Sequence, residues 1–402
     1  MSATPNNTPV APKSNDQLLA DLNACQWRAL IVGIIAAVVC IVGAFFSPVQ
    51  FFRSYLFAFI FWIGFPLGGM AIVMMNHLTG GNWGLPIRRA LEAASRTLPL
   101  MLLLFIPIFF GMRILYSWAQ PDSVRADPVL QYKHLYMNDW FFAVRTIFYF
   151  AMWILGAYLL NRWSAEQDRT GDRRIATCLE SFSGPGLVVY GLLITFGCVD
   201  WVMSLESHWS STIYGLLFMV VQGLAALAFG VYVARRLSDY EPIASYVNPE
   251  RFQDLGNLLL TFVILWAYLA FSQFLVIWSG NLKTEVPWYL VRARGGWAAL
   301  ALFLIIFHFF VPFLLLLWRD VKRRMRTIAG VAVGLMFVTL VDVYWLVAPA
   351  FQPNSPSVHL LDFAAPTAIG GIWIAAFCYE LKRRPLLPIH DPDFGEVFAH
   401  GD

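Results

Sequence analysis

The chain has 402 residues, of which 59% are hydrophobic, 16% aromatic and only 13% charged, with a formal charge of +3. Soluble domains carry about 25% charged residues, so a soluble enzyme and a secreted disulfide scaffold are excluded, and the chain reads as an integral membrane protein. The small net charge implies no nucleic-acid partner. Residues 1–26 are polar and rich in Pro and Asn, and a disordered tail is expected there. A helical crossing needs about 20 mostly apolar residues. Ten such runs follow, at Arg28–Phe46, Tyr55–His77, Thr97–Trp118, Trp140–Asn161, Phe182–Met203, Thr212–Ala234, Gly256–Ser279, Trp297–Trp318, Ile328–Pro349 and Leu360–Glu380. They are continuous rather than alternating, which excludes a transmembrane β-barrel.

Lys and Arg set the direction of insertion. With the N-terminus inside, twenty of the 28 fall on the inner side. Only Arg53, Arg125, Lys133, Lys283, Arg292 and Arg294 fall outside, while Arg113 and Arg145 lie within spans. Both termini are therefore expected to face the cytoplasm. No signal peptide is expected, and residues 381–402 read as a short cytoplasmic tail.

Five scattered cysteines form no C-x-x-C pair, so neither an iron–sulfur site nor a c-type haem attachment is expected. Only His308 of the seven histidines sits in mid-span, which argues against a bis-histidine haem. No phosphate-binding loop is present. No catalytic residue, metal site or bound cofactor is expected in this chain.

Charge inside a membrane costs roughly 2.5–3.5 kcal/mol per residue at the span centre, so each instance asks for a reason. Arg113, Arg145, Asp200 and Asp342 fall in the outer part of their spans, with Glu206 and His208 just beyond Asp200. His77 ends the second span on the inner side, near Arg88, Glu92 and Arg96. Two readings stand. In one, Arg113 or Arg145 neutralises Asp200 and holds helices together. In the other, Asp200, Asp342, His308, His77, Glu206 and His208, with Arg113 and Arg145, line a proton path, because burial and partners move such groups toward neutral titration.

Spans 2–5 and 6–9 show faint similarity. "CVDW" and "LVDVYW" set Asp200 against Asp342, and aligning Trp118 with Trp278 sets Arg113 against Gln273. Four spans per unit make the repeat parallel. The expected fold is all-α, with two four-helix bundles at 55–203 and 204–349. The first span and outer loop (27–54) and the last span (350–380) flank them. After span 2, "NHLTGGNWGLPIRRALEAA" has glycines for tight turns and Pro86 to open a short basic helix. The anionic leaflet would attract its Arg88 and Arg89.

"MMNHLTGGNWGLPIRRALEAA" (74–94) and "VDWVMSLESHWSSTIYG" (199–215) resemble the ActF-type membrane subunit of bacterial alternative complex III, and ten spans at this length fit it. The related NrfD-like, polysulfide-reductase-type subunits share a double four-helix bundle. The resemblance implies a subunit of a quinol:electron-acceptor oxidoreductase in the bacterial inner membrane, oxidising menaquinol or another quinol. It implies partners that carry the cofactors: an iron–sulfur subunit, and multi-haem and mono-haem c cytochromes. A sister ActC-type membrane subunit would bind the quinol, with lipids around both. The chain itself would bind no redox centre and serve as scaffold and proton path. Of the candidate residues, His77, Asp200, Glu206 and His208 fall in the matching segments. The alternatives are a quinone-binding subunit in its own right and a secondary transporter.

Overall fold

The computed structural model describes residues 12–241, 243–244 and 249–387, and apart from one bridge between Lys13 and Tyr240 its regular structure is helical. Among the described residues, ten helices are long and apolar enough to cross a membrane. They are α1 (Asn15–Phe46), α2 (Pro48–Thr79), α3 (Leu98–Leu115), α4 (Asp139–Thr170), α5 (Arg173–Trp201), α6 (Tyr214–Leu237), α7 (Pro249–Gly280), α8 (Gly295–Leu317), α9 (Met325–Ala350) and α10 (Leu360–Lys382). The chain is thus a multi-pass membrane protein.

Each expected span lies within or largely overlaps one of these helices, and the main differences are at the ends. The segment expected to be disordered up to residue 26 is helical from Asn15. The Ser14 hydroxyl accepts from the Gln17 amide, and the Gln17 side chain accepts from the Ser14 amide. This reciprocal cap starts the helix well before its apolar run begins. Residues 1–11 and 388–402 lie outside the described residues, and with them most of both expected tails.

Two helices are buried on all sides. The most apolar stretches of α2 and α6 are 89% and 83% buried, against 17% for α1 and 22% for α8. A helix apolar all round belongs in a core, while one with a wide exposed apolar face belongs against lipid. α2 and α6 lie against each other at very short range, since a Cβ added to Gly68 would sit 2.1 Å from the Gln222 carbonyl oxygen. α2 also touches α3, α5, α9 and α10; α3 lies on α4, and α4 on α5. α6 touches α5, α7 and α9, while α8 contacts both α7 and α9. α1 packs along α10, where a Cβ on Gly371 would meet the Gly33 Cα at 2.5 Å. Small residues let two membrane helices approach closely enough for dispersion to hold them.

The start of α1 and the end of α10 share one face, where Lys382 donates to Gln26 Oε1 at 2.6 Å. That face is called the terminal face here. The loop after α2 lies on it. Gly80 and Gly81 adopt φ of 63° and 84°, the left-handed region that glycine tolerates. The chain then enters the elbow helix Leu85–Ser95, with Pro86 in its first turn. On the opposite face lie three short helices, Pro121–Ala126, Pro128–Lys133 and Val286–Arg292.

Candidate functional site

Four clusters of ionisable side chains are built into this frame, and their geometries differ. In the first, Arg145 of α4 forms a two-pronged pair with Asp200 of α5. Nε reaches Oδ2 at 2.8 Å, and the second terminal nitrogen reaches Oδ1 at 2.9 Å. Tyr149, one turn along α4, donates to Asp200 Oδ2 at 2.8 Å. The remaining guanidinium nitrogen donates to the Tyr136 carbonyl at 2.8 Å, and the group lies 3.8 Å from the centre of the Tyr136 ring. Parallel arginine–carboxylate bonds are the strong, directional kind. Both Asp200 oxygens and all three Arg145 nitrogens are engaged, although the Tyr136 hydroxyl has no partner among the described residues, so the cluster reads as a rivet between α4 and α5.

Arg113 takes no part in it. It sits in the last turn of α3, is 73% exposed, and approaches Asp139 only to 3.9 Å. Of the two arginines the sequence offers to Asp200, the structure pairs Arg145.

The second cluster also faces away from the termini. Arg292 is fully buried and donates to Glu206 at 2.9 Å, to the Leu346 carbonyl at 2.9 Å and to the Trp288 carbonyl at 3.1 Å. It lies 3.7 Å from the Trp288 ring, which stacks on Trp209 at 4.7 Å. Burial draws the pKa of Arg292 down, and Glu206 opposes that. Glu206 therefore ties the segment after α5 to the α7–α8 connection. His208 lies apart, largely exposed, 2.6 Å from Asp127.

The third cluster is in the membrane interior, between α7, α8 and α9. Asp342 is 3% exposed, and its hydrogen bond among the described residues comes from Trp266 Nε1 at 3.0 Å. His308 is fully buried, with its ring 4.0 Å from that of Trp266 and its Nδ1 3.7 Å from Asp342 Oδ2. That gap is too long for a hydrogen bond. Both His308 ring nitrogens, Gln273 Oε1 and Thr339 Oγ1 are buried without a partner among the described residues. Buried polar atoms are nearly always satisfied, so two unsatisfied nitrogens on one buried ring call for an explanation.

The backbone at His308 is unusual too. Ile305–Phe310 is a π-helical turn, closed by the Val311 amide bonding to the Ile306 carbonyl. The cause lies in Pro312, which has no N–H to give to the His308 carbonyl four residues back. The widened turn at such a proline is a frequent mark of functional positions.

The fourth cluster lies on the terminal face. Glu92 of the elbow helix accepts from Arg88 at 3.2 Å, Arg89 at 2.7 Å and Ser164 of α4 at 2.9 Å. Arg89 also pairs with Asp168, and Arg88 reaches Gln167 at 3.4 Å. Burial would raise the Glu92 carboxyl, yet Arg89 and Arg88 outweigh it and hold the group far below the ordinary carboxylate range. Arg88 and Arg89 are 3% and 5% exposed. The expectation that a lipid surface attracts them is therefore corrected: they point inward and dock the elbow onto α4. His77 lies half-buried nearby on α2, and its Nε2 has no partner among the described residues.

The structure thus brings Arg145 to Asp200 and His308 to Asp342. Among the described residues no hydrogen bond or ion pair links His77 to His308, or either of them to Asp200, Glu206 or His208. Apolar layers separate the clusters. Buried Phe59, Phe105, Phe150 and Trp153 fill α2–α4 between the elbow and Asp200. Leu259 and Val263 of α7, Leu316 of α8, and Ala332 and Leu335 of α9 separate His308–Asp342 from the Lys322–Asn257 bond near the terminal face. Sequence reasoning missed Trp266 and Tyr149 as partners of the two aspartates. Tyr149 was legible as the residue one helical turn from Arg145. Trp266 had no local signal.

Among the described residues no three His, Cys, Asp or Glu side chains converge as metal ligands would. The fold and these clusters define the class: a multi-pass α-helical membrane protein with buried ionic pairs at several depths. The sequence matches no protein-family model and no curated protein.

Proposed function

We propose that the chain is a cofactor-free membrane subunit of a respiratory quinol:electron-acceptor oxidoreductase of the alternative complex III kind. In this reading it serves as scaffold and carries a proton-handling site at His308 and Asp342. The observation that carries the proton assignment is the contrast between two buried aspartates. Asp200 is locked by an arginine and a tyrosine, whereas Asp342 faces an unbonded histidine across 3.7 Å. A small shift of the π turn or one inserted water closes that gap. The apolar layer toward the terminal face is then the barrier that keeps the site from leaking. Asp200, Glu206, Arg145 and the elbow are structural ties, and His77 and His208 are not on the path.

The helix contacts support a division into two four-helix units, α2–α5 and α6–α9, with α1 and α10 as a flanking pair. The excess of Lys and Arg supports termini in the cytoplasm, and a place in a bacterial inner membrane follows from the proposed complex. Membership of the complex rests on the two segments at 74–94 and 199–215. The partners are then an ActC-type sister subunit holding the quinol site, an iron–sulfur subunit and c-type cytochromes.

The test is gentle purification of the chain from native membranes, with partners identified and haem quantified. Copurifying c-type haem and an iron–sulfur protein are expected. A well-dispersed, haem-free chain without partners overturns membership of the complex and favours a transporter.

A further inference from the structure

A cavity of about 450 Å³ opens on the terminal face between the elbow, α3, α4 and α10. Four arginines line it, Arg96, Arg162, Arg383 and Arg384, against one carboxylate, Glu380. Glu380 is already engaged, by Arg96 at 2.9 Å and by Arg383 at 3.3 Å. Arg384 donates to the Asn161 carbonyl at 2.6 Å, and among the described residues neither it nor Arg162 pairs with a carboxylate. Burial pushes the pKa of Arg384 down, and the Arg96 charge adds to that, as expected where like charges share a confined space. The lining itself holds more positive than negative charge, with Glu92 and Asp168 acting on Arg384 only from behind it.

The position of the cavity says which anion would cancel it. Its other walls are Pro99 of α3 and Ile154, Ala157 and Tyr158 of α4, on the apolar flank of the spans. Leu103 and Phe110 of α3 and Leu155 and Tyr158 of α4 are exposed on the same two helices. The cavity therefore has a cationic end at the level where spans end and an apolar side that runs down into lipid. An anionic phospholipid has this shape of chemistry: a phosphate for the arginines and acyl chains for the helix faces.

We propose that this cavity is a binding site for the phosphate headgroup of an anionic phospholipid, with its acyl chains lying along α3 and α4. Arg162 and Arg384 are the principal phosphate ligands, and Asn161 and Glu380 hold Arg96 in place behind them. Elbow, α4 and α10 meet at the cavity, so an occupied site also ties these elements together. The site is independent of whether the chain belongs to a quinol-oxidising complex.

The test uses the purified full-length protein in a neutral detergent, in whatever complex it forms, with native mass spectrometry and thermal unfolding as readouts. Phosphatidylglycerol is titrated against phosphatidylcholine of the same chains, and inorganic phosphate is titrated separately. A retained phosphatidylglycerol and a rise in unfolding temperature are expected, with phosphatidylcholine giving neither. R162Q/R384Q weakens phosphatidylglycerol binding by about tenfold or more. R173Q/R174Q, at an exposed position on the same face, leaves it unchanged. If the double variant fails to fold, R162Q alone, at an exposed residue, still lowers the affinity severalfold. Equal binding of the two lipids, or no loss in R162Q, overturns the proposal. So does full stabilisation by inorganic phosphate alone, which assigns the site to a soluble anion.

Discussion

Replacing Asp200 separates a structural tie from a proton carrier. Asp200 is 2% exposed and accepts two bonds from Arg145 and one from Tyr149. Removing one partner of a buried pair costs about 3–5 kcal/mol, because the other charge is left behind. Asp200→Ala lies toward the lower end of that range. Arg145 keeps its bond to the Tyr136 carbonyl and its place over the Tyr136 ring, and its side chain is 11% exposed. Asp200→Asn preserves one acceptor oxygen, and losing the charge assistance costs about 2–3 kcal/mol. The double variant Asp200→Leu with Arg145→Met removes both charges and is expected within about 1 kcal/mol of the parent, as apolar replacements of buried pairs often are. Unfolding measured in mild detergent, by heat or by steric trapping, gives all three values. If Asp200→Asn is neutral, and the double variant is no more stable than Asp200→Ala, the rivet assignment fails.

Other expectations follow from the packing and the terminal face. Gly371→Val forces a side chain into the Gly33 backbone, where even a Cβ is 2.5 Å away, so α1 should detach from α10. A cysteine cross-link or proteolysis at the start of α1 reads this, and an undisturbed α1 contradicts the close packing. The Glu92 carboxyl titrates below its ordinary 4.5, so the stability it lends is complete above that value and is lost only as pH falls through its lower folded value. Fluorescence of Trp83, beside the elbow, should therefore hold steady from about pH 8 to about pH 5; a transition in that range contradicts the ion-pair assignment. Arg292→Ala strips Glu206 and the Leu346 carbonyl of their donor at a cost of about 2–4 kcal/mol, tempered because Glu206 can turn to water. Faster hydrogen exchange in Val286–Arg292 is the expected sign.

The spans were legible because continuous apolar runs have few other uses, and their ends were not, because helices continue past the bilayer wherever a cap or a polar face supports them. Ser14 and Gln17 form such a cap, three residues apart, and were passed over in favour of the polar composition around them. The inward turn of Arg88 and Arg89 was also written locally. Glu92 stands four and three residues on, the spacing of helical ion pairs, yet a surface reading took only the arginines into account. The choice between Arg113 and Arg145 turned on depth: Arg113 sits in the last helical turn, where water reaches it, and Arg145 has Tyr149 below it to complete the carboxylate's shell. The pairing of Asp200 with Asp342 from the two "VD" motifs identified two buried acids. The companion alignment of Arg113 with Gln273 set an exposed side chain against a buried one. No local pattern could bring His308 to Asp342, since they belong to different helices. Pro312, four residues beyond His308, was the one sequence mark of the altered backbone there.

The proposed proton-handling role of Asp342 is tested most directly with the proposed complex isolated through this chain, reconstituted into vesicles and driven by quinol. Asp342→Asn keeps the acceptor for Trp266 and nearly the same volume, so assembly and haem content should match the parent. The account predicts that electron transfer to the acceptor continues while protons translocated per electron, beyond those released by quinol oxidation, fall to the background level. An unchanged proton-to-electron ratio in a fully assembled Asp342→Asn complex would contradict it and leave the chain a scaffold.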